Sequence, residues 1–144
     1  MGALMVAVPP GLVLAAATRD DNDIEIWKSP TCGCCGNWVT HMRTNGFRPV
    51  IHDVADVAPI KRKYGVPVAL ESCHTGVVGG YAIEGHVPAD VVRALLKQRP
   101  AGVLGIAAPG MPMGSPGMEM GAMKDKYDVI AFTKAGTTSV FAKR

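Results

Sequence analysis

The chain has 144 residues, 48% of them hydrophobic and 19% charged, which suffices for one ordinary core and falls short of two. Its formal charge of +3 comes from 15 basic and 12 acidic residues interleaved along the sequence, without the basic run or aromatic interleaving of a nucleic-acid groove. Nucleic acid is therefore not an expected partner, and charge points to no other.

The N-terminal stretch MGALMVAVPPGLVLAAA is almost wholly apolar and gives way abruptly to TRDDND. About twenty apolar residues are needed to cross a bilayer and Pro9-Pro10 would interrupt a spanning helix, so no stable membrane span is expected. A signal peptide over residues 1–17 fits better, with Ala15-Ala16-Ala17 as the cleavage site before Thr18, although no Lys or Arg precedes the apolar run.

Residues 24–29, IEIWKS, alternate apolar and polar side chains like a strand that Pro30-Thr31 ends. Residues 34–45 read as a helix closed by Gly46, with Trp38 and Met42 four apart on one face. FRPVIHDV (47–54) reads as a second strand, and APIKRKY (58–64) as a short helix stopped by Gly65. A buried strand is expected at 66–70 and a further one at 77–85, followed by a helix at 88–98 with proline in its first turn. The order βαβαββα is that of an α/β sheet. Residues 101–123 read as a Gly/Pro/Met-rich loop. The last segment reads as a C-terminal hairpin, 127–133 and 137–141, turning at Lys134-Ala135-Gly136.

Three of the four cysteines, Cys32, Cys34 and Cys35, fall in the tetrapeptide CGCC at the start of the first helix. Neighbouring cysteines close almost no loop, so a structural staple is a poor reading and reactivity or metal binding a better one. The first turn of a helix offers unpaired N–H groups and the positive end of the dipole, and both favour thiolate over thiol. Cysteines at a helix N-terminus within βαβ form the thioredoxin arrangement, in which Cys32 and Cys35 would be the redox pair. In such folds a cis proline faces the pair, and Pro67 occupies the corresponding place. Cys34 and Cys35 differ by about 100° around a helix of ~3.6 residues per turn, a placement better suited to bridging several ions than to chelating one.

Cys73 follows the expected proline strand, and if that strand runs beside the one leading to Cys32, four sulfurs converge. Zinc takes four thiolates, but one Zn(II) on four leaves a residual double negative charge, whereas several bridged Cu(I) ions approach neutrality. The methionine-rich segment APGMPMGSPGMEMGAM also favours copper, because thioethers are soft ligands that suit Cu(I), with Met111 and Met113 the nearest contributors. Methionines in such loops also serve as gap-fillers. Among the histidines, His74 is the best auxiliary ligand or hydrogen-bond donor to a thiolate. His41 lies too far along its helix to share a metal, and neither His52 nor His86 receives a role.

The motifs CGCCGNW, GVPVALESCHT, VVGGYAIEGHVPA and PGMPMGSPGME together resemble the CopG-type proteins of bacterial copper-resistance systems, a family long catalogued as a domain of unknown function. The resemblance runs from about Ile24 to Met120. It implies a periplasmic protein with a thioredoxin-like fold; with the element pattern read above, this gives a thioredoxin-like mixed sheet flanked by helices over residues 23–100, then the loop at 101–123 and the hairpin at 124–144. It also implies a polynuclear Cu(I) cluster on Cys32, Cys34, Cys35 and Cys73, with a copper redox or thiol oxidoreductase activity. The partners implied are copper ions and other periplasmic copper-handling proteins.

Overall fold

The computed structural model describes residues 20–144, so the expected leader at 1–17 lies outside the described residues. A mixed α/β architecture results: one seven-stranded sheet in the order β2-β1-β3-β4-β5-β6-β7, with three helices packed on it. β1 (Asp23–Lys28) is parallel to β2 (Arg48–Asp53) through the crossover helix α1 (Gly33–Thr44). β3 (Thr75–Val78) pairs antiparallel with both β1 and β4 (Tyr81–Gly85). Helix α3 (Ala89–Gln98) then crosses to β5 (Val103–Ala108), which lies parallel to β4. The hairpin β6 (Asp128–Thr133) and β7 (Thr138–Lys143) completes the sheet.

The helices follow from their apolar stripes. In α1 the buried residues Cys35, Trp38, Val39 and Met42 recur at helical spacing, and in α3 Val91, Val92, Leu95 and Leu96 do the same. Both stripes join Ile24, Ile26, Ile83 and Ile106 in the main core. Ala82, Ala107 and Phe132 point to the other face, where Tyr64, Val66 and Leu70 cover them beside α2 (Ala58–Lys63). No helix among the described residues is long and apolar enough to cross a membrane.

Three expectations change. The strand expected at 66–70 is instead a single 3-10 turn, Val68–Leu70, with Leu70 N–H donating to the Pro67 carbonyl at 2.8 Å and Val68 exposed. Pro67 has no N–H to give a sheet ladder and sits at φ −64°, the geometry that opens such a turn; no cis peptide bond occurs among the described residues. The strand expected at 77–85 is a hairpin, because Gly79 (φ +56°) and Gly80 (φ +86°) form a two-residue turn that needs positive φ at both positions. Finally, the run VLGIAA at the start of the expected loop is the interior strand β5, between β4 and β6. Gly105 is required there, since a Cβ would come 2.2 Å from the Ala82 carbonyl oxygen of β4.

Candidate metal centre

Cys32 is the N-cap of α1, in extended conformation, with its carbonyl accepting the first helical bond from Gly36 N–H at 3.2 Å. No side chain caps the helix, so its first amides stay free around the cysteines. Cys34 and Cys35 occupy the first turn. The core stripe of α1 buries Cys35 completely and turns Cys34 to the rim, where it is half-buried. Cys32 and Cys35 are joined as a disulfide, and Cys34 and Cys73 are free thiols.

Cys73 comes from the irregular segment between the 3-10 turn and β3. The strand beside β1 is therefore the one that follows Cys73, not a proline strand that precedes it. Because β3 runs antiparallel to β1, with Thr75 opposite Trp27, Cys73 emerges at the end of the sheet from which β1 delivers Cys32. The sulfurs of Cys32, Cys34, Cys35 and Cys73 all lie within 4.8 Å of one another, and Cys32 Sγ and Cys34 Sγ are 3.5 Å apart.

Two nitrogens meet the same sulfur. Cys73 Sγ is 3.1 Å from His86 Nε2 and 3.3 Å from His74 Nδ1, a second group within 4.8 Å. His86 Nδ1 donates to the Pro116 carbonyl at 2.7 Å, so the neutral ring directs its lone pair on Nε2 toward Cys73. His74 is fully buried, with its ring 4.5 Å from that of Trp38 and its Nε2 without a partner. Nothing in the sequence alone marks His86 for this place. The hairpin supplies it: continued outward from the Thr75–Glu84 pair, the β3–β4 register brings His86 opposite Cys73.

Burial, followed by repulsion from Cys34, pushes the Cys73 thiol up to about 11. Burial also holds the His74 ring well below the ordinary imidazole range, helped by the nearby His86 and Lys61. Burial lowers His86 too, with the Pro116 carbonyl and Glu119 opposing. Around Cys73 the centre at neutral pH thus presents a thiol and two uncharged imidazoles, the state from which a soft cation displaces that thiol's proton.

The methionine-rich segment straps the centre. Ser72 Oγ donates to the Gly110 carbonyl at 2.6 Å, and the His86–Pro116 bond fixes the other end. Gly117, at φ +89°, lies against the first turns of α1, where a Cβ would meet Cys34 O at 2.8 Å and Trp38 N at 2.9 Å. Within the strap Met111 is exposed and Met113 half-buried, with Met113 N–H donating to Asp125 at 2.8 Å. His41 has a structural task away from the centre: its Nε2 accepts the Ala89 N–H at 3.0 Å, capping α3.

Two solved structures, both named Copper resistance protein CopG, are similar to this chain. Form 1 is 43% identical with a TM-score of 0.81, covering 87% of this chain and 98% of its own; Form 2 is 43% identical with a TM-score of 0.80, covering 85% and 97%. The chain belongs to the CopG family. The family model described as a protein of unknown function, DUF411, matches residues 70–118, which include Cys73, His74, His86 and the strap but not the CGCC turn. No curated protein matches the chain. Both CopG structures carry copper resistance in their names, and the cysteine cluster of this CopG-family chain offers donors that suit copper.

Proposed function

We propose that this protein binds Cu(I) in the periplasm as a polynuclear thiolate cluster on Cys32, Cys34, Cys35 and Cys73, sequestering the metal or passing it to other copper-handling proteins. One observation carries the reading: four sulfurs from two distant segments lie within 4.8 Å of one another. Two of them are tied up in the disulfide, so a dithiol donor must first supply two electrons and two protons to open Cys32–Cys35. Thiolates then bridge Cu(I) ions and lose their excess negative charge, which a single Zn(II) would leave in a half-buried site. His86 Nε2 and His74 Nδ1 supply borderline nitrogen donors beside Cys73, and Met111 and Met113 supply thioethers from the strap.

A second reading, as a thiol-disulfide oxidoreductase, draws support from the disulfide at the helix N-terminus, with Cys35 buried and Cys32 partly exposed. In that reaction the Cys32 thiolate attacks a substrate disulfide and releases one substrate thiolate. Cys35 then displaces the second and closes the observed bond. Cys34 favours the first reading, because it competes for mixed disulfides in the second.

Anaerobic titration of the reduced protein with Cu(I), followed by native mass spectrometry, separates the two. More than one Cu(I) per chain, falling in Cys34→Ser, is the expected result. A single Zn(II), or no metal, with insulin disulfide reduction intact in Cys34→Ser, would overturn the cluster.

A further inference from the structure

Residues 71–74 belong to no helix or strand, yet they must hold Cys73 at a fixed distance from three other sulfurs and two imidazoles. The grip comes from beneath. Glu84, opposite Thr75 in the β3–β4 register, follows Ala82 onto the α2 side of the sheet and is fully buried. Its Oε1 accepts both the Lys61 ammonium of α2 and the Ser72 backbone N–H, the latter at 2.6 Å. Its Oε2 accepts the Thr75 hydroxyl at 2.6 Å, and Lys61 Nζ also donates to that hydroxyl at 3.2 Å.

We propose that Glu84, paired with Lys61, is the positioning residue for Cys73, holding the Ser72 backbone N–H and the Thr75 hydroxyl on either side of the Cys73-His74 pair. Apolar side chains of similar volume would fill this space with less desolvation cost than a buried ion pair. They would leave the Ser72 amide unpaired, and the segment would keep only the Ser72 hydroxyl on Gly110, the Gly85 N–H on the His74 carbonyl and the start of β3. What the ion pair adds over an apolar core is the hold on two residues that flank a ligand, the kind of supporting contact whose loss typically lowers metal affinity about 10–100-fold. The copper part of this inference rests on the proposed function; the positioning part does not.

The test therefore uses two readouts. In the oxidised protein, where Cys32 and Cys35 are closed, iodoacetamide labelling is followed at Cys73 and Cys34 by peptide mass spectrometry. In the reduced protein, Cu(I) retention is measured against bathocuproine disulfonate. In Glu84→Leu/Lys61→Met the Cys73:Cys34 labelling ratio rises several-fold and Cu(I) retention drops at least about tenfold. The milder Thr75→Val moves the ratio in the same direction and stands in if the double variant does not fold. Val129→Ala, which opens a cavity in the core on β6, lowers stability without moving the ratio. An unchanged ratio in a folded clamp variant, or an equal rise in Val129→Ala, overturns the proposal. Absence of copper binding by the native chain would sink the cluster while leaving the labelling result to decide the clamp.

Discussion

At the scale of single residues, protonation ties the histidines to folding. His41 accepts the Ala89 N–H through Nε2, and burial holds its proton affinity below the ordinary value of 6.5 despite Glu119 and Asp90 nearby. His74 and His86 shift the same way. A lowered folded pKa means that the unfolded chain takes up the proton first as pH falls, so this stability is complete above about 6.5 and is lost as pH drops toward the folded values. The urea midpoint of the metal-free protein should fall between pH 7.5 and 5.5, and His41→Gln should fall less steeply over that range. The sequence made the cysteines legible because three soft donors in four residues have few other uses. It hid His86 and Glu84, since a lone histidine and a lone glutamate near a strand end acquire their roles only from what the hairpin sets opposite them.

Elements with a strong local pattern were readable: α1, α3 and β1 follow their apolar periodicity, and β2 and the C-terminal hairpin fall where β-rich runs bounded by turn residues put them, to within a few residues. The misread elements had ambiguous patterns. VPVAL is apolar enough for a strand but exposes Val68 in a proline-led turn, while VVGGYAIEG hides its reversal in two glycines that read equally as a bulge. The strap shows what a single glycine can decide. Gly117 meets α1 where no Cβ fits and where φ is positive, so Gly117→Ala must push the strap away from the first turn. That change should cost about 1–3 kcal/mol, measured by urea unfolding, and should loosen the Pro116–His86 bond, broadening the His86 imidazole NMR signals.

At the scale of the whole molecule, the strands of the described residues form one sheet, and β6 of the last hairpin is part of the core. Val129, Ala131 and Phe132 of β6 are buried beside β5, on both faces of the sheet, so the C-terminal segment is built into the fold. Each buried Val or Phe contributes about 1.5–3 kcal/mol, against a typical total stability of ~5–15 kcal/mol. A chain ending at residue 123 should therefore lose its cooperative urea transition, monitored by circular dichroism. The same continuity sets an order of events. The sulfurs come from residues 32–35 and 73, the imidazoles from 74 and 86, and the cover from 110–117, so no fragment made earlier holds them together. If the truncation behaves as expected, Cys73 and the two imidazoles are held beside the CGCC turn only once the final strands have been made. The four-sulfur site is then a property of the finished fold, and a soft ion held on all four sulfurs would report that folding has succeeded.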